Sequence, residues 1–175
     1  YIPEIERHVP GVRFVHVVRH GLDVLASIAD ANMHYDDNHD FGGGMKLWAN
    51  RWNRAIAIHR CYIGRPNHHI VFLDDFAHDT AGEWRRLCEA LSLDPDMPLD
   101  EACGQSIADL ADEPWKRQAI DGRLRPPRSK AQALFGPETL SWLSQRLVTL
   151  DPLREQRHAR ARIAYGYAGN PAAEA

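Results

Sequence analysis

Arg19, His20 and Ser27 are the residues whose types and spacing suggest chemistry, with the serine eight positions after the arginine. Arg19 ends Val12-Arg13-Phe14-Val15-His16-Val17-Val18, a β-branched and largely apolar run. That composition predicts a strand buried on both faces, hence parallel and internal. In open parallel sheets, ligands bind beyond the carboxyl ends of the strands, where helix N-termini favour anions. A guanidinium at that edge stays charged and can hold a phosphate through two N–H groups. Gly21 permits a close turn into a helix, and Ser27 shares a helical face with Asp23, from which its hydroxyl can donate to the same phosphate. The residues alone leave a second reading open, in which Arg19 pairs with Asp23 or another carboxylate and Ser27 is solvated.

Other reactive side chains are less organised. The histidines are scattered, and Asn67-His68-His69 lacks Cys or acidic neighbours at metal-site spacing, so no metal site is expected. Cys61, Cys88 and Cys103 are odd in number and form no close pair. They read as reduced structural thiols in a reducing compartment, which with the lack of a signal peptide predicts a cytoplasmic protein. The formal net charge of −3 gives no global basic field for nucleic acid or an anionic membrane, although Arg123 to Lys130 is a local basic cluster. No apolar run approaches the roughly 18 residues that a membrane span requires.

These residues must be positioned by a chain of 175 residues, enough for one domain with a core. A hydrophobic share of 44% and a charged share of 26% exclude wholesale disorder. Residues 1–9 read as the end of a helix, broken by Pro10-Gly11. After the first strand, a helix runs from Leu22 to about Met33, with Leu22, Leu25, Ala26 and Ala29 on one stripe. A polar loop over 34–44 precedes a long amphipathic helix from Met45 to Tyr62, with Leu47, Trp48, Trp52, Ala55, Ile56 and His59 on one side. His69 to Leu73 reads as a second buried strand. Thr80 reads as the cap of a helix to Leu91, with Glu83 completing a capping box. Residues 94–128 look irregular, and a helix is expected from Pro137 to Leu150. The alternation of strands and helices predicts an α/β fold with a parallel sheet flanked by helices. The domain is expected over 1–167, followed by a disordered tail over 168–175.

Val15-His16-Val17-Val18-Arg19-His20-Gly21-Leu22-Asp23-Val24-Leu25-Ala26-Ser27 resembles the 3′-phosphate-binding segment of sulfotransferases that use 3′-phosphoadenosine 5′-phosphosulfate (PAPS). Glu4 to Pro10 is similar to the helix and proline preceding that segment in the family, and Trp48 and Trp52 fall where it has a Trp-bearing helix. Phe72-Leu73-Asp74-Asp75-Phe76, with Leu87 to Leu93 after it, looks like the family's second strand and the helix that follows. Ala164-Tyr165-Gly166-Tyr167 is similar to the Leu-Gly-Tyr with which many bacterial members close. The resemblance covers about residues 1–93 well and 128–167 loosely. It implies a P-loop-NTPase-like sheet, PAPS as co-substrate without a metal, and transfer of a sulfuryl group to a hydroxyl or amine on a small molecule, glycan or lipid. It further implies that Arg19 and Ser27 hold the nucleotide's 3′-phosphate.

Departures from the family are informative. Its Tyr in the second-strand motif is Leu73 here, and its Arg-Lys-Gly signature is absent. Arg125-Pro126-Pro127-Arg128-Ser129-Lys130 lies at about the right place to substitute, which makes Arg128 a further candidate for the nucleotide or else part of a solvated basic loop. The chain begins Tyr-Ile-Pro, so the family's phosphosulfate loop and catalytic base are expected upstream of Tyr1; no catalytic residue is assigned, and this segment alone is expected to be inactive. Two alternatives stand beside this reading. Arg19-His20-Gly21 after a strand also looks like the histidine phosphatase motif, although Leu22 replaces its acidic or Thr residue and the later strand ends without a His. A non-catalytic sulfotransferase-like binding module is the other.

Overall fold

Pro3 sits in the first turn of helix α1 (Ile2–His8), where a missing N–H costs nothing, and Gly11 at φ +76 turns the chain into strand β1 (Phe14–Val18). Helices α2 (Gly21–His34) and α3 (Gly44–Tyr62) lead to strand β2 (His68–Phe72), which continues directly into α4 (Leu73–His78) and then α5 (Thr80–Leu91). Three further helices follow, α6 (Lys130–Leu134), α7 (Pro137–Ser144) and α8 (Asp151–Ala164). The computed structural model describes residues 1–34, 43–96 and 130–164.

β1 and β2 pair in parallel, with His16 opposite Ile70 and Val18 opposite Phe72. The crossover through α2 and α3 is what a parallel pair demands. The α/β arrangement is therefore as expected, and among the described residues the sheet is small. The core gathers the inward stripes of the helices on this pair: Leu25 on α2, Trp52 and Ile56 on α3, Phe72 on β2, Leu143 on α7 and Leu153 on α8. α6 packs on α2, and Lys130 reaches Asp30 across that contact at 3.0 Å.

Five expectations are corrected. β1 is not buried on both faces: His16 and Val18 point inward, while Val15 is 40% and Val17 60% exposed, because the described helices cover one face of this strand. Leu73 is the first residue of α4 rather than the end of β2. Asp79, not Thr80, caps α5, its carboxylate accepting from Gly82 N–H at 3.0 Å, while the Thr80 hydroxyl donates back to Phe76 C=O at 2.9 Å. Glu83 is drawn out of a capping box because two arginines claim its carboxylate, Arg86 at 2.7 Å and Arg157 at 3.2 Å. Finally, the helix expected to run from Pro137 to Leu150 stops at Ser144; Leu150 still reaches the core, but from the turn before α8.

Candidate functional site

β1 delivers Arg19 to the carboxyl edge of the sheet, and α2 starts two residues later. Asp23 and Val24 N–H both donate to His20 C=O, at 3.1 Å each, which winds the first turn of α2 around that residue. Two helical turns along, the Ser27 hydroxyl accepts from Arg19 Nη1 at 3.2 Å. Both residues are half-buried. In this arrangement the serine oxygen serves as acceptor, so its own hydrogen is available to a ligand. Arg19 Nε is buried and has no hydrogen-bond partner among the described residues. A buried donor without a partner costs about 1–3 kcal/mol, and an anion at this edge would satisfy it.

The competing arrangement, Arg19 paired with Asp23, is not adopted. Asp23 is buried at 8% exposure with its Oδ1 unpartnered, and no carboxylate among the described residues pairs with Arg19. The guanidinium is thus tied to a neutral hydroxyl, which leaves its charge without an ion-pair partner among the described residues.

Beside this edge lies a cleft of about 370 Å³. Its lining includes His20, Gly21, Trp52, Leu147, Thr149 and Arg154, and does not include Arg19 or Ser27. Gly21 sets how closely its neighbours approach: a Cβ there would sit 3.0 Å from the Trp52 ring and 3.1 Å from Leu147 Cδ1. Arg154 is held by Asp75 at 2.6 Å and lies over the Phe72 ring, 4.3 Å from its centroid. Arg157 reaches the same carboxylate at 2.9 Å, so Asp75 and Glu83 fasten α8 to α4 and α5. Sequence reasoning missed this cluster, since α8 itself carries no periodic apolar signal beyond Leu153.

Of the sequence candidates, Arg19 and Ser27 come together, while Arg128 lies outside the described residues. Most of the polar loop over 34–44 and nearly all of the irregular stretch over 94–128 also lie outside them. Cys61 and Cys88 are free thiols, and Cys103 is not among the described residues. No group of three or more His, Cys, Asp or Glu among the described residues is placed to hold a metal ion, and no described helix is long and apolar enough to cross a membrane.

A second polar assembly was not legible as such. His16, His59 and His68, from β1, α3 and β2, form one hydrogen-bonded row with contacts of 2.9 and 2.8 Å. Burial first, and then the neighbouring imidazoles of His59, His68 and His69, push His16 down to about 4. Burial also lowers His59.

Comparison with known proteins bears on the family of the chain. Residues 1–97, just over half of the 175-residue chain, match the model described as the sulfotransferase family. The matched region contains Arg19, Ser27, both strands and α5. No curated protein and no solved structure matches the chain.

Proposed function

This chain belongs to the sulfotransferase family, and we propose that it anchors PAPS through Arg19 and Ser27 for sulfuryl transfer to a hydroxyl or amine acceptor. The observation that carries the reading is the 3.2 Å contact between Arg19 Nη1 and the Ser27 hydroxyl, with Arg19 Nε left buried and unpartnered. A 3′-phosphate at this edge would accept from the guanidinium and from the serine O–H, replacing the missing partner. The cleft that begins one residue beyond Arg19 falls in the size range of small-ligand pockets and supports placing the nucleotide along this side. Arg128, two residues before α6 in the sequence, is proposed as a further cation for the nucleotide.

In the reaction, the acceptor oxygen or nitrogen bonds to sulfur as the bond from sulfur to the phosphosulfate bridging oxygen breaks. The acceptor proton leaves to a base, and adenosine 3′,5′-bisphosphate departs with the bridging electrons. Arg19 and Ser27 act remote from sulfur: they fix the nucleotide so that the reacting end is aligned, and binding energy there is used for positioning. The domain is proposed to extend over 1–167.

The test is incubation of this chain, together with any sequence that precedes Tyr1, with ³⁵S-labelled PAPS and a panel of hydroxyl and amine acceptors. Label is expected to pass to an acceptor and to be reduced at least tenfold by Arg19→Ala. Nucleotide binding without transfer to any acceptor would favour the non-catalytic binding module. Hydrolysis of p-nitrophenyl phosphate that disappears in His20→Ala would instead favour the histidine phosphatase reading.

A further inference from the structure

The histidine row ends on α1. His68 Nε2 lies 3.0 Å from Glu6 Oε1, His68 Nδ1 lies 2.8 Å from His16 Nε2, and His16 Nδ1 lies 2.9 Å from His59 Nδ1. One side chain each from α1, β2, β1 and α3 is thereby joined in a single line. Its middle is dry: His68 is 0% and His16 8% exposed. Phe14 stacks on His68 at 4.6 Å, and Tyr62 stacks at 5.0 Å beneath the guanidinium of Arg65.

The hydrogens in this line can be counted. An ionised Glu6 only accepts, so His68 Nε2 carries a hydrogen. Neutral His68 then offers a lone pair at Nδ1, which accepts from His16 Nε2–H. Neutral His16 in turn offers Nδ1, which accepts from His59 Nδ1–H. With all three rings neutral, this is the one tautomer set that satisfies every contact. The row ends at His59 Nε2, which has no hydrogen-bond partner among the described residues. One added proton entering there can shift along the line, and each contact still holds a single hydrogen. A second added proton either places two N–H groups head to head at 2.8 to 3.0 Å or neutralises the Glu6 carboxylate.

We propose that Glu6, His68, His16 and His59 form an acid-released latch that fastens α1 to the sheet and to α3, closed with at most one added proton and opened by the second. The surrounding charges fit this role. The groups facing His16 are Glu6 through His68 from α1, His59 and Tyr62 from α3, and His68 and His69 from β2. Glu6 is in turn held by Arg65 at 3.0 Å and Asn67 at 3.2 Å from the turn before β2. The hydrogen bonds from His68 and Asn67 keep the Glu6 carboxyl below its ordinary range, and His16 resists its proton until about 4. The inference is independent of the nucleotide site.

Two measurements test it. In ¹⁵N-labelled protein at pH 7.5, two-bond nitrogen–proton correlations should show His16 and His68 as Nε2–H tautomers and His59 as the Nδ1–H tautomer. A His59 Nε2–H tautomer would overturn the assignment. On acidification from pH 7.5 to 3.5, through the folded value of His16, the helical Cα shifts of Glu4 to His8 should collapse with a steepness above one proton, while those of Arg85 to Ala90 in α5 persist. His16→Gln retains a donor and an acceptor but does not titrate, so it should keep α1 helical at pH 7.5 and reduce that steepness to one proton or fewer. If wild-type α1 shifts are unchanged over this range, or are lost only together with α5, there is no latch. Should His16→Gln not fold, the tautomers and the wild-type titration decide the matter alone.

Discussion

At the scale of single residues, the nucleotide edge rests on a guanidinium bonded to a neutral hydroxyl rather than to a carboxylate. Ser27→Ala removes a hydroxyl that accepts from Arg19 and would donate to phosphate, but leaves the charge. It should weaken binding of adenosine 3′,5′-bisphosphate by about 1 kcal/mol, roughly fivefold, against about 2–4 kcal/mol for Arg19→Ala. Calorimetric titration of the two variants checks the order as well as the sizes. Gly21→Ala acts differently, since its Cβ would press on Trp52 and Leu147 at 3.0 and 3.1 Å. Overpacking of this kind costs about 1–3 kcal/mol and should appear as a lowered unfolding midpoint in denaturant. The Arg19–Ser27 pair was legible because both residues lie on consecutive elements, and strand-turn-helix geometry converts their spacing directly into proximity. The histidine row was not, because its members are 43 and 52 residues apart along the chain and meet only through strand pairing and helix packing.

At the scale of elements, local pattern succeeded where it coincided with burial. The α2 stripe and the Trp48, Trp52 and Ile56 face of α3 read correctly because each has one covered side. β1 misled because composition reports what a strand can bury, not how many layers cover it, and Val15 and Val17 remain exposed. The caps show a related competition. Asp79 and Thr80 are both good N-cap types, and the aspartate wins because its carboxylate meets Gly82 N–H while the threonine bonds Phe76 C=O. Asp79→Ala should therefore destabilise the protein by about 1 kcal/mol, whereas Glu83→Gln should act mainly by loosening Arg86 and Arg157. Thermal unfolding of Asp79→Ala beside Thr80→Ala separates the two caps. α8 was missed because it is docked largely by charge: Arg154 and Arg157 lie 4.3 and 4.9 Å from the Phe72 ring centroid and share Asp75. Polar docking of this kind leaves little apolar periodicity to read.

For the whole molecule, the titrating groups set a pH dependence with a definite sign. His16 has a folded value of about 4 against an ordinary 6.5, so the unfolded chain takes its proton first. Stability is accordingly lost as pH falls from about 6.5 to about 4, by roughly 3 kcal/mol from this group. Glu6, lowered by its bond from His68, contributes stability present above the ordinary carboxylate range and lost as pH falls through its folded value, which is the same direction. Urea unfolding between pH 7.5 and 4.5 should show the decline, and His16→Gln should flatten it. The fold that carries these groups brings α1, both strands and α3 around one polar row on one side and the Arg19 edge on another. The nucleotide edge remains the point on which the functional account turns. Calorimetric titration of the protein with adenosine 3′,5′-bisphosphate and with adenosine 5′-monophosphate tests it most directly. The account predicts that the bisphosphate binds at least tenfold more tightly and that Arg19→Ala erases the difference. Equal affinities for the two nucleotides in the wild-type protein would contradict it.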